Sequence, residues 1–353
     1  MAAYPAVPTW VAARLAEGLV IPAHPLAVTA QRRFDERRQR ALTRYYLDAG
    51  AGGLAIGVHS TQFEIRDPRH GLYEPVLALA AETATAWEAA GRRPIVRIAG
   101  VCGGTAQAVA EAAAARELGY HAALLSLGAM AGASHEALLA HCRRVAQELA
   151  LVGFYLQPAA GGIVLPYCFW RELAELENLA AIKMAPFNRY QTLEVVRAVA
   201  DSGRAAEIPL YTGNDDHIIL DLLSTYEIGG VKLGCAGGLL GHWACWTRRA
   251  VEQLAQCRAA RAAESIPAEL LTLAGQVTDA NAAFFDPSHE YAGALSGIHE
   301  VLRRQGLLAN NFCLDPRQGL SAGQADEFGR VWRAYPGLND DQFVAENLDR
   351  WLG

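Results

Sequence analysis

A (β/α)8 barrel followed by an all-helical C-terminal extension is the fold this sequence predicts, on three observations. From about residue 19 onward, short β-type runs alternate with longer helical patterns at a spacing of roughly thirty residues, the mark of strand–helix units and a parallel sheet. Eight such runs follow one another, which favours a closed barrel over an open doubly wound sheet. Beyond residue 262 the pattern becomes purely helical.

Taken in order, residues 1–18 form a leader with a helix around Trp10 to Glu17. The predicted strands are Leu19–Pro22, Gly53–Gly57, Pro94–Ile98, His121–Ser126, Leu151–Leu156, Leu179–Lys183, Ile208–Tyr211 and Gly229–Leu233. Helical segments include Glu36 to Asp48, Thr105 to Leu118, Ser134 to Ala150, Thr192 to Asp201 and Trp243 to Ala260, several opened by a Ser or Thr suited to capping the first free amides. The barrel thus spans residues 19–262. The extension, 263–353, carries amphipathic patterns at Ile266 to Phe285, His289 to Gln305, Ser321 to Tyr335 and Asp340 to Leu352.

Composition narrows the function classes. A formal net charge of -6, with arginine scattered along predicted helices and no basic block, gives no footprint for nucleic acid. The seven cysteines, at 102, 142, 168, 235, 245, 257 and 313, are odd in number and lack a CxxC pair, so neither a disulfide framework nor a zinc ribbon is supported. A reducing, cytoplasmic setting fits. Arg14 and Glu17 interrupt the one early apolar stretch, and no signal peptide or membrane span is expected.

The chain has two lysines, Lys183 and Lys232; every other basic residue apart from histidine is arginine. Arginine cannot lose its proton near neutral pH, whereas a lysine amine can, and can then attack a carbonyl. Lys183 closes the apolar run Leu179-Ala-Ala-Ile-Lys183, at the end of a strand where barrels of this class place their chemistry. Tyr155 occupies the same fifth position of the preceding strand. Adjacent strands lie about 4.8 Å apart, so the two side chains are expected to meet, the alternative being a buried Tyr155 whose hydroxyl is satisfied by a backbone carbonyl. Lys232, on the predicted eighth strand, is expected at the same mouth, depressing the Lys183 amine or binding a substrate carboxylate, with a structural ion pair as the third reading. Asp215, Asp216 and His217 follow the seventh strand; they form either a turn capping the next helix or a metal-binding cluster.

The Tyr155 and Lys183 pair, the segment Ile98-Ala-Gly-Val101 closing the third strand ahead of Thr105-Ala-Gln-Ala-Val-Ala-Glu111, and Tyr211-Thr-Gly-Asn-Asp-Asp216 together resemble the dihydrodipicolinate synthase and N-acetylneuraminate lyase family of class I aldolases. The resemblance runs from about residue 19 to about 310. It implies a Schiff base between Lys183 and pyruvate or another 2-oxo acid, with Tyr155 shuttling the proton, no cofactor, no metal, and a homotetramer. His59, Ser60 and Thr61 stand where the family holds the 2-oxo acid carboxylate, although this loop reads Gly57-Val-His-Ser-Thr-Gln62 rather than the family's Gly-Thr-Thr-Gly-Glu. The synthases' aromatic after strand four is missing from Ser126–Met130, and their arginine after strand five is missing from Gln157–Gly162, which argues against lysine biosynthesis. By the lyase pattern, Asp215 and Asp216 are candidates for contacts with sugar-acid hydroxyls. The expected activity is a Schiff-base lyase, aldolase or dehydratase. The alternatives are a metal-dependent barrel using Asp215, Asp216 and His217, and an inactive barrel that binds 2-oxo acids.

Overall fold

The computed structural model describes residues 4–353. Its strands are β1 (Val20–Pro22), β2 (Gly53–Ile56), β3 (Val96–Val101), β4 (Ala122–Leu125), β5 (Leu151–Leu156), β6 (Leu179–Ala185), β7 (Leu210–Thr212), β8 (Tyr226–Ile228), β9 (Val231–Leu233) and β10 (Cys235–Leu240). Strands β8 and β9 pair only with each other; the remaining eight, with the helices between them, are the strands of a (β/α)8 barrel with a helical C-terminal extension. The chain divides into two compact units, one made of the chain up to Leu19 with Val96–Leu239, the other of Val20–Ile95 with Leu240–Gly353.

In the first unit the strand order is β10-β7-β6-β5-β4-β3. Strands β4, β5, β6 and β7 are buried at every position, as expected when a parallel sheet is covered on both faces and its strands become continuous apolar runs. Helices follow the strands with caps the sequence supplies. The Ser134 side chain accepts from Ala137 N–H at the start of His135–Ala146, and Asn188 accepts from Tyr190 and Gln191 at the start of Arg189–Asp201.

The second unit holds β1 and β2, joined by a parallel bridge between Ala23 and Ala55. Its helix Glu36–Ala49 is capped by Asp35. The helices Ala268–Phe285, Ala294–Arg304, Gln324–Ala334 and Asp341–Leu352 follow the last barrel helix, Thr247–Ala262. Phe284 and Phe328, on the first and third of these helices, build an aromatic core in which the Phe284 ring stacks on His242 at 5.3 Å and on Phe328 at 5.8 Å. Burial holds the His242 imidazole down to about 4, so it packs there as a neutral ring.

One strand assignment changes. Gly229–Leu233 is not the eighth barrel strand: Gly229 and Gly230 both take positive φ, 56° and 81°, and turn the chain into the antiparallel hairpin β8-β9. A two-residue Gly-Gly connection with both φ positive is a type I′ turn, whose twist matches paired antiparallel strands. The eighth barrel strand is the next segment, Cys235–Leu240, where Gly237 allows close approach. A β-carbon there would come within 2.3 Å of the Leu19 carbonyl oxygen.

Candidate active site

The site is built on three adjacent strands of the first unit. Lys183 lies on β6, between β5 and β7, and only 8% of its surface is exposed. Its neighbour across β7 is Tyr211, and its neighbour across β5 is Phe154. Parallel strands in register project paired residues to the same face, so Phe154, Lys183 and Tyr211 share one side of the sheet. The ammonium sits 4.5 Å from the centre of the Phe154 ring. The Tyr211 hydroxyl donates to the Leu15 carbonyl at 2.8 Å, on the helix Thr9–Glu17.

The lysine stem passes over Gly213, the residue after β7. A β-carbon at position 213 would lie 2.5 Å from Lys183 Cε and 2.8 Å from Ala185 Cβ, so any side chain there would collide with the stem. Gly213 is therefore fixed by close approach. Two residues on, Asp215 is buried, its N–H donating to the Gly213 carbonyl at 3.1 Å in a tight turn.

Burial pushes the Lys183 amine down from its usual 10.5 to about 8, while the negative charge of Asp215 pulls the other way. Roughly a tenth of the amine is then neutral at pH 7 and about half at pH 8. That is a nucleophile at working pH, which an exposed lysine is not.

The loop that presents Asp215 is held by a second carboxylate, Asp221, on the helix Ile218–Leu223. Its side chain is buried and accepts from Thr212 Oγ1 at 2.7 Å, Asn214 Nδ2 at 2.8 Å and Arg189 Nη1 at 2.9 Å, and His217 Nδ1 lies 2.9 Å away. Burial alone would raise the Asp221 carboxyl; the hydrogen bond from His217 and the charge of Arg189, with the hydrogen bonds from Thr212 and Asn214, hold it below the usual range. Asn214 also accepts from Phe187 N–H at 3.1 Å, fixing a residue with φ of 52° on the loop that leaves β6. The network ties the loops after β6 and β7 together beside the lysine.

Several expected positions differ in the structure. Tyr155 does not meet Lys183. The pairing of β5 with β6 slips between Leu151 and Val152: Leu151 pairs with Leu179 but Val152 with Ala181, leaving Ala180 as an extra residue. Phe154 thereby comes opposite Lys183, and Tyr155 turns to the helix-covered side. There its ring packs on Trp170 at 5.3 Å and its hydroxyl accepts from Leu165 N–H at 3.2 Å.

Lys232 does not line the site either. It stands on the hairpin strand β9, with 69% of its side chain exposed, and its cross-strand partner is Glu227 at 4.0 Å. At that exposure it is a surface ion pair of small energetic weight.

Ser60 and Thr61 lie in the second unit, in the short helical turn His59–Thr61 after β2. Their hydroxyls do not point to a ligand: Ser60 donates to the Ala23 carbonyl and Thr61 to the His24 carbonyl, both at 2.7 Å. Each hydroxyl has one proton, so neither retains a donor for a carboxylate. His59 is half-buried with its ring against Phe63, centroids 5.8 Å apart.

The residues weighed as metal ligands are dispersed among separate tasks. Asp216 faces Arg189 at 3.5 Å, His217 faces Asp221, and Asp215 lends its charge to the Lys183 amine. Among the described residues no three His, Cys, Asp or Glu side chains gather as a metal-binding group. Phe154, Gly213 and Asp221 are the members of the site that sequence reasoning missed. The glycine was legible as part of a strand-end turn, but Asp221 lies on the helix beyond it and Phe154 depends on a register slip that no local pattern announces.

A buried, partly deprotonated lysine at the end of the sixth strand of a (β/α)8 barrel is the arrangement of the class I aldolase type. The chain belongs to the dihydrodipicolinate synthetase family, whose model matches residues 18–334. No curated protein matches it in sequence. Among solved structures it is similar to N-acetylneuraminate lyase from Fusobacterium nucleatum complexed with pyruvate, at 16% identity and a TM-score of 0.70, covering 91% of this chain and 97% of that one. It is also similar to dihydrodipicolinate synthase from Aquifex aeolicus, at 17% identity and a TM-score of 0.72, covering 92% and 99%. CdNal from Clostridium difficile, determined in complex with mannosamine, matches at 15% identity and a TM-score of 0.72, covering 90% and 99%. At these identities the likeness carries the fold. No helix among the described residues is long and apolar enough to cross a membrane.

Proposed function

We propose that the chain is a Schiff-base lyase or aldolase acting on pyruvate or another 2-oxo acid, with Lys183 as the nucleophile. The observation that carries this reading is the burial of Lys183, which leaves its amine near 8, against Phe154 and under the influence of the Asp215 charge. The neutral amine adds to the substrate ketone, water leaves, and the resulting iminium draws electrons from the adjacent carbon–carbon bond. Two of the similar structures are described as complexes with pyruvate, the Fusobacterium lyase and YagE from E. coli K12, which supports a 2-oxo acid of that size.

The loops that depart from the synthase pattern favour a sugar-acid type substrate over the lysine-pathway reaction. The enzyme is further proposed to work in the cytoplasm as a homotetramer, a state that sedimentation of the purified protein would measure directly.

The test is reduction with borohydride in the presence of pyruvate, followed by peptide mapping. A pyruvate-derived adduct on the peptide carrying Lys183, absent from Lys183→Ala, is the expected result. Full activity in Lys183→Ala would sink the reading.

A further inference from the structure

Schiff-base chemistry at Lys183 needs a second group that takes and returns a proton, and the structure removes the phenols from that task. Phe154, opposite the amine on β5, carries no exchangeable proton. Tyr155 faces the helix side, accepting from Leu165. Tyr211, opposite the amine on β7, donates its proton to the Leu15 carbonyl. The carboxylates of the neighbouring loop divide their roles: Asp221 and Asp216 face Arg189, whereas Asp215 sits in the turn that starts at Gly213, the residue packed against the lysine stem. Like Lys183, Asp215 is almost wholly buried, at 6% exposure, and its negative charge acts on the lysine amine with little water to screen it.

We infer that Asp215 is the proton carrier of the reaction at Lys183, in place of a tyrosine. The inference rests on the Schiff-base reading above. In the cleavage direction the substrate is a 4-hydroxy-2-oxo acid joined to Lys183 as a protonated iminium. The Asp215 carboxylate takes the proton of the C4 hydroxyl, and the C4–O electrons form the aldehyde carbonyl. The C3–C4 bond breaks, and its electron pair forms the enamine and neutralises the iminium nitrogen. Asp215 then returns its proton to C3, regenerating the iminium of pyruvate, which water hydrolyses to pyruvate and the free amine. Atoms and electrons balance with water as the only co-reactant.

The half-reaction can be read without knowing the aldehyde. Pyruvate bound as a Schiff base exchanges its methyl protons with solvent deuterium only when a base takes them, and proton NMR in D2O follows that loss directly. Borohydride trapping reports iminium formation separately. For Asp215→Asn, trapping at Lys183 is expected to persist and to extend to lower pH, because the charge that favours the ammonium form is gone, while methyl exchange falls about 100-fold or more. Asp215→Glu is expected to recover part of the exchange, since it restores a carboxylate. Exchange at the wild-type rate in Asp215→Asn would overturn the assignment. So would parallel loss of trapping and exchange in a folded Asp215→Asn with no recovery in Asp215→Glu, which would make Asp215 a support for the lysine only. A wild-type protein that traps no 2-oxo acid is a different failure: it removes the Schiff base itself, and the role of Asp215 with it.

Discussion

Replacing Lys183 by methionine should change how stability depends on pH, and the change can be worked from the amine's position. In the folded chain the amine is held near 8; in the unfolded chain it returns to about 10.5. Between those values the unfolded state binds more protons than the folded one, so wild-type stability rises with pH across this window. Each pH unit is worth about 1.4 kcal/mol, so below pH 8 the folded protein bears a penalty of roughly 3 kcal/mol for burying the ammonium. By pH 10 most of it is gone. Methionine fills a similar volume without a charge, so Lys183→Met carries no such term, although Asp215 loses its cation and part of the gain with it. The stability difference between variant and wild type should therefore drift by roughly 2 to 3 kcal/mol in the wild type's favour from pH 7 to pH 10. Urea unfolding at fixed protein concentration, followed by circular dichroism at half-unit pH steps, measures it. A difference that stays flat across the window would refute the argument that burial holds this amine down.

Two further outcomes test the surroundings of the lysine. Gly213→Ala places a carbon 2.5 Å from Lys183 Cε, which must either shift the stem or strain the loop; a loss of about 1–3 kcal/mol in unfolding free energy, together with slower borohydride trapping, is expected. Tyr155→Phe deletes the hydroxyl that accepts from Leu165 N–H; about 1 kcal/mol of stability should go while trapping with pyruvate stays at the wild-type rate, and a Schiff base lost with that hydroxyl would contradict the observed register.

The barrel is legible in the sequence because its evidence is repeated. Each parallel strand must be apolar on both faces and each helix on one, so the same period recurs and a single misread element does not hide it. Lys183 is legible for another reason: in a chain that otherwise writes arginine, a lysine ending an apolar run has little structural purpose. Gly229–Leu233 reads as a barrel strand because Val-Lys-Leu has the alternation of a strand end, although the Gly-Gly pair that opens it already specifies a turn with two positive φ angles. The hydroxyls of Ser60 and Thr61 match the composition of a binding loop, yet their protons are taken by carbonyls of residues 23 and 24, a long-range choice that local sequence does not encode. Asp221 escapes notice because a carboxylate within an apolar helix reads as surface until Arg189, Thr212 and Asn214 are brought to it by tertiary structure.

The extra residue on β6 decides which ring meets the amine. Without Ala180 between the paired positions, Tyr155 and not Phe154 would stand opposite Lys183, and every residue downstream on β5 would exchange faces relative to the lysine. One inserted residue, invisible to the order of motifs along the chain, thus trades a phenol for a plain benzene ring above the amine.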